Sequence, residues 1–86
     1  MYSVYALYNL KHDRIYIGQT EDLVLRLKLH KDKGFGKNHY TARLDGDWNL
    51  IYTEAVQTRI EALKREKQLK SYRGRQFIKK QIPIPG

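Results

Sequence analysis

The sequence predicts an α/β domain of the α+β kind, with element order β-β-α-β-α-α. Three observations carry that reading. Aromatic and β-favouring residues form two segments around a polar turn near the N-terminus, "YSVYALYNL" and "IYIG" on either side of "KHDR". A third such segment, "WNLIYTE", runs from Trp48 to Glu54. Strong helix formers fill "QTRIEALKREKQLK", from Gln57 to Lys70.

The first two segments read as a β-hairpin with strands over Tyr2 to Leu10 and up to Gly18. The stretch that follows, "YIGQTEDLVLRLKLH", is ambiguous. Leu23, Leu25, Leu27 and Leu29 alternate with Val24, Arg26, Lys28 and His30, which by period alone is a half-buried strand. Residue type argues for a helix, because leucine, lysine and arginine are helix formers and only Val24 is β-branched. Thr20, Glu21 and Asp22 supply a cap and negative charge at its start, so a helix is expected from about Glu21 to Lys31. On a helical wheel Leu23, Leu27 and Val24 then form the buried arc, Leu25 and Leu29 flank it, and Arg26 and His30 stack one turn apart at its border.

The glycines and polar residues of "KDKGFGKNHY" predict a loop, and Asp45 and Gly46 predict a turn before the third strand. The helix over Gln57 to Lys70 carries Glu61 to Arg65 and Glu66 to Lys70 as i,i+4 pairs in the favoured order. Gly74 suggests a break between Ser71 and Gly74, followed by a short basic helix that ends before the two prolines.

Composition bounds the function. A chain of 86 residues supports one core and so one domain, 1–86. Hydrophobic residues at 41% and charged residues at 30% exclude a disordered chain, and no apolar run approaches the ~20 residues that span a bilayer. "MYSVYALYNL" lacks the features of a secretion signal, which makes a cytoplasmic location the expectation. The absence of cysteine excludes disulfides and thiolate metal sites. Seventeen Lys and Arg against nine acids give a net charge of +8, which makes a polyanion, above all nucleic acid, the expected partner.

The side chains that could carry chemistry are few. Glu66 falls on the helical wheel among Ala62, Leu63 and Leu69, in the apolar arc, where a carboxylate needs a cation, a metal or a donor facing it. It is therefore a candidate metal ligand, with an outward pair to Lys70 as the alternative. Four of the seven tyrosines, Tyr2, Tyr5, Tyr8 and Tyr16, lie in the hairpin, where each taken singly reads as core; Tyr16 stands beside Gly18, where a backbone can approach a ligand. His12, His30 and His39 have no metal-ligand spacing, and no Walker loop, serine-nucleophile elbow or zinc pattern occurs, so no nucleotide or other small-molecule cofactor is expected. No cluster of acids suits a two-metal nuclease, so metal chemistry would rest on one ion.

"SVY" at Ser3 to Tyr5, followed by "YIG" at Tyr16 to Gly18, resembles the signature of the GIY-YIG nucleases. "GQTEDLVLRLKLH" is similar to the glycine, turn and arginine-bearing helix that follow in that family. "EALKREKQLKSYRGRQFIKK" resembles the C-terminal block of its small standalone bacterial members, of the UvrC-like or URI type. The resemblance spans nearly the whole chain. It implies a three-stranded antiparallel sheet flanked by helices, with an active site on the sheet face beneath the first and second helices. It implies DNA phosphodiester hydrolysis with one divalent ion, Mg2+ or Mn2+, of low sequence specificity and in a repair or recombination setting. Carried over by position, the catalytic set is Tyr5, Tyr16, Arg26, His30 and Glu66, with Glu66 holding the metal, Tyr5 as base, Tyr16 on the phosphate and His30 orienting Tyr5 or relaying its proton. The alternative is a binding module of the same fold with little catalysis. Ser3 and Val4 replace the name-giving glycine and isoleucine. Gln19 stands where some members have lysine, and no asparagine follows Glu66.

Overall fold

The computed structural model describes residues 1–32 and 44–83. Three strands and three helices follow in the expected order: β1 (Tyr2–Asn9), β2 (Arg14–Thr20), α1 (Leu23–Asp32), β3 (Trp48–Val56), α2 (Arg59–Lys70) and α3 (Tyr72–Lys79). From Lys33 onward the loop read in "KDKGFGKNHY" lies outside the described residues, as does His39.

The sheet is antiparallel with order β2-β1-β3, so the N-terminal strand is central. Its centrality explains why Val4, Tyr5, Ala6 and Leu7 are all buried, with no exposed alternate. Asp13 takes a positive φ of 52° in the β1–β2 turn, where its carboxylate accepts from the Tyr8 hydroxyl at 2.8 Å. Gly46, at φ 91°, supplies the turn before β3 that "LDGD" predicted. Against β1 the pairing moves from Ala6–Tyr52 to Leu7–Leu50, leaving Ile51 as one extra residue in β3, a β-bulge.

Alternation along β1 sends successive side chains to opposite faces. Val4 and Ala6 join Ile17, Ala62, Leu69 and Ile78 in the apolar core, with Tyr2, Ile15, Ile51, Tyr52 and Val56 packed against it. This face is covered by α2 and α3. A polar tie adds to it: Arg65 Nε donates to Glu54 at 2.5 Å, Tyr52 donates to the other oxygen of Glu54 at 2.6 Å, and the Tyr52 ring meets Phe77 edge-on at 5.3 Å. Tyr5 and Leu7 point the other way, toward α1.

Helical chemistry prevails over strand-like alternation in α1, with two corrections. The cap is Asp22: its Oδ1 accepts from the Leu25 amide at 3.0 Å, while Thr20 ends β2 and turns the chain by accepting from the Asp22 amide at 3.1 Å. The inward face also differs, since Val24 is 81% exposed and His30 only 2%. Leu23, Arg26, Leu27 and His30 turn inward, because the arc that faces the sheet is centred between the leucines and the two polar residues.

Thr58 caps α2 by accepting from the Glu61 amide at 3.2 Å, which starts the helix at Arg59 and leaves Gln57 outside. Ser71 alone separates α2 from α3. Its hydroxyl donates to the Gln68 carbonyl at 2.6 Å and accepts from the Gly74 amide at 3.2 Å, ending one helix and capping the next. The break thus falls at Ser71, within the expected span, and Gly74 lies inside α3. A Cβ there would sit 2.2 Å from the Gln68 carbonyl oxygen and 2.4 Å from the Leu69 Cα, so the glycine permits two helices to touch. Among the described residues no helix is long and apolar enough to cross a membrane.

Candidate active site

The α1-facing side of the sheet holds the polar cluster. Tyr5 rises from β1 opposite Gly18 of β2, and Tyr16 stands on the same face two residues before that glycine. Both rings need the space Gly18 leaves: a Cβ at that position would lie 2.9 Å from Tyr5 Oη and 3.0 Å from Tyr16 Cε1. The glycine thus leaves room for the two tyrosine rings. His30 completes the cluster from above. The Tyr5 hydroxyl and His30 Nε2 are 2.8 Å apart in a buried hydrogen bond, and the His30 ring lies edge-on to Tyr5 at 5.8 Å and tilted on Tyr16 at 5.0 Å. The Tyr5 and Tyr16 rings lie 6.1 Å apart, tilted by 45°.

Two charges bear on this cluster. Arg26, one turn before His30 on α1, pulls the pKa of both phenols down. Glu66, from α2, pushes both up. Of the five residues singled out in the sequence, Tyr5, Tyr16 and His30 are in direct contact, and Arg26 and Glu66 act on the two phenols through their charge. The site does not lie beneath two helices on one face, as the resemblance implied. Helix α2 packs on the opposite face from α1, against β2 and the central β1. Glu66 is the residue that α2 contributes to the cluster.

Burial is the largest influence on both phenols and pushes their pKa values above the ordinary 10. The pull of Arg26 does not offset it, so an arginine neighbour alone does not favour the phenolate. At neutral pH Tyr5 and Tyr16 are proton carriers, not anions.

Glu66 makes the pair with Lys70 that the sequence offered as the alternative, from a half-buried position. Its side chain is 22% exposed, flanked by the buried Ala62 and Leu69, yet Oε2 also pairs with Lys70 Nζ at 3.5 Å. Leu63 departs from the expected arc and is largely exposed. Among the described residues no three His, Cys, Asp or Glu side chains gather to cage a metal. The donor set here is one carboxylate beside phenolic oxygens. It suits a hard, oxygen-seeking ion that keeps waters and takes the rest of its shell from a phosphate, and does not suit a zinc-type cage. Lys70 was legible in the sequence only as a salt-bridge partner; the structure puts its ammonium at the margin of the cluster. His12 lies elsewhere and pairs with Asp45 at 2.6 Å, beside Lys11, which also binds that carboxylate.

With this geometry in view, the comparison with known families is decisive: the model described as the GIY-YIG catalytic domain matches residues 1–80. The chain belongs to the GIY-YIG family. Its members are nucleases, so this GIY-YIG domain carries a nuclease-type function. Among solved structures it is similar to a UPF0213 protein from Bacillus halodurans, determined by NMR in solution, with 28% sequence identity over 99% of this chain and 89% of that one and a TM-score of 0.55. No curated protein matches it.

Proposed function

We propose that this GIY-YIG domain is a divalent-metal-dependent endonuclease that hydrolyses DNA phosphodiester bonds with low sequence preference, using Tyr5, Tyr16, Arg26, His30 and Glu66. The observation that carries the proposal is the buried 2.8 Å contact between Tyr5 Oη and His30 Nε2, in a cluster that feels both Arg26 and Glu66. DNA repair or recombination intermediates are the substrates such an activity would serve.

The chemistry follows from protonation states. A buried neutral phenol is a poor base by itself, but it can take a proton from an attacking water if its own proton passes on at the same time. His30 Nε2 is placed to receive that proton, so the pair moves a proton from water to imidazole without accumulating phenolate. The new bond joins the water oxygen to phosphorus, and the bond to the leaving ester oxygen breaks. Arg26 contributes fixed positive charge for the phosphoryl oxygens, and its guanidinium fork suits two of them. Tyr16 donates to a phosphoryl oxygen and holds the group in line. Glu66 would hold Mg2+ or Mn2+, which supplies Lewis-acid polarisation of the phosphoryl group and neutralises the leaving oxygen. An ion there would compete with the Lys70 ammonium, which lies 3.5 Å from one of the two carboxylate oxygens.

The Lys70–Glu66 pair also favours the second reading, a binding module whose carboxylate is already neutralised. Incubation of supercoiled plasmid with Mg2+ or Mn2+ separates the two. Nicked product that requires the metal, vanishes in EDTA and is lost in Glu66→Ala, with DNA affinity nearly unchanged, is the expected result. Absence of metal-stimulated nicking by the wild-type protein would leave the binding module as the better account.

A further inference from the structure

Beside the tyrosine cluster lies a cleft of about 720 Å³ where β2, an edge strand, meets the corner between α2 and α3. Its floor is apolar, from Ile15, Ile17 and Ile82, and its cations are Arg14, Lys70, Arg75 and Lys79. Four cations face one acid there, Asp13, whose carboxylate already accepts from Tyr8. The arrangement is fixed by the fold. Arg75 and Lys79 are one turn apart on α3, and Arg75 Nε donates to the Lys70 carbonyl at 3.2 Å across the Ser71 corner, which anchors the guanidinium beside Lys70. Two residues join this cleft to the candidate active site: Tyr16 lines it, and Lys70 belongs to it while pairing with Glu66.

We infer that this cleft is a phosphate-tracking subsite that holds the DNA backbone flanking the scissile bond, with Arg14, Arg75 and Lys79 contacting successive phosphates and Lys70 joining them when Glu66 is engaged elsewhere. The inference rests on the nuclease reading for its substrate, but the geometry that carries it is separate. A backbone anionic along its length matches a row of cations over an apolar floor. An acidic protein surface would need donors and counter-charges aligned to side chains of irregular spacing. No aromatic stacking platform besides Tyr16 lines the cleft, so it addresses the backbone and not the bases. The three cations other than Lys70 are exposed and make no ion pair with an acid among the described residues, so phosphate contact releases counterions without breaking an internal salt bridge.

The test compares two triple variants that remove equal charge: Arg14→Ala with Arg75→Ala and Lys79→Ala in the cleft, and Lys64→Ala with Lys67→Ala and Arg73→Ala on exposed positions that do not line it. Binding of a fluorescein-labelled DNA duplex is followed by anisotropy in EDTA across a salt series, with a thermal melt of each variant and Arg75→Lys as a charge-retaining partner for the helix-corner hydrogen bond. The slope of log affinity against log salt should fall by about 0.9 per lost phosphate contact, so by between about 2 and 3 for the cleft triple, and by less than about 1 for the other. Affinity should fall at least tenfold more in the cleft triple, and Arg75→Lys should retain the wild-type slope. Equal losses in the two triples, or an unchanged slope in the cleft triple, would overturn the subsite. Either outcome is independent of catalysis. Metal-dependent nicking by the wild type together with an unchanged cleft slope would overturn the subsite alone, and a lost slope without nicking would overturn the nuclease reading alone.

Discussion

Tyr5 concentrates the opposing demands of the site. Its hydroxyl is buried, hydrogen-bonded to His30, and protonated more firmly than a free phenol, which is useful only if the proton has somewhere to go. Removing that oxygen in Tyr5→Phe should leave folding largely intact, at a cost on the order of 1 kcal/mol for the partners left behind. Metal-dependent cleavage should fall by about 10²- to 10⁴-fold, the usual range for a lost acid–base group, while DNA affinity moves little. Single-turnover cleavage and anisotropy on the same preparation check both. Gly18→Ala reaches the same group sterically, because the new methyl would meet Tyr5 Oη at 2.9 Å and press the hydroxyl away from His30. A variant in which cleavage survives would mean that the Tyr5–His30 contact is structural.

Among the elements, the α2–α3 corner has the most to lose from one methyl group. In Gly74→Ala two effects oppose each other. Alanine is favoured over glycine inside a helix by about 1 kcal/mol. Its Cβ, however, would lie 2.2 Å from the Gln68 carbonyl oxygen and 2.4 Å from the Leu69 Cα, and backbone atoms cannot swing aside as a side chain can. Overpacking of this kind costs about 1–3 kcal/mol and occasionally more, so the clash wins. A urea melt should show a lower midpoint at an unchanged m-value; a raised midpoint would mean that the helices part without cost. The same corner shows what a sequence discloses. The helix over Gln57 to Lys70 and the break near Ser71 were legible from residue type, while the caps at Thr58 and Ser71, which set the helix starts, were not read. Gly74 was legible as special but not as to why, because its reason is a neighbouring backbone that only the tertiary fold brings near. The contact of Tyr5, Tyr16 and His30 followed from where the family resemblance places them, and the half-buried position of Glu66 from the wheel. The inward turn of Arg26 and His30, and the exposure of Val24, were not readable, because strand-like alternation hid which arc of α1 would meet the sheet. The cleft cations were visible only apart, Arg14 in the polar "KHDR" and the others in the basic helical region near the C-terminus, since their grouping depends on β2 lying against the helix corner.

On the scale of the whole molecule, the fold binds protons at high pH. Tyr2, Tyr5, Tyr8, Tyr16 and Tyr52 all have pKa values raised above the ordinary 10. Burial leads for Tyr5, Tyr16 and Tyr52, while hydrogen bonds to Glu21 and Asp13 lead for Tyr2 and Tyr8. Between 10 and the folded-state values the unfolded chain has released these protons and the native protein still holds them, so stability must fall as pH rises. The contribution is complete below pH 10 and is lost as pH climbs through the folded-state values. An opposing effect comes from lysine. Loss of ammonium protons in the same range lowers the net charge of +8 and relieves self-repulsion, which salt screens. Desolvation is not screened, so the tyrosine effect should persist at high ionic strength where the lysine effect has faded. Urea midpoints measured in EDTA at high salt should therefore hold steady from pH 7 to 9 and decline above 10. The decline should be shallower in the Tyr5→Phe, Tyr16→Phe double variant, and a wild-type midpoint that stays level through that range would contradict the burial of the two phenols.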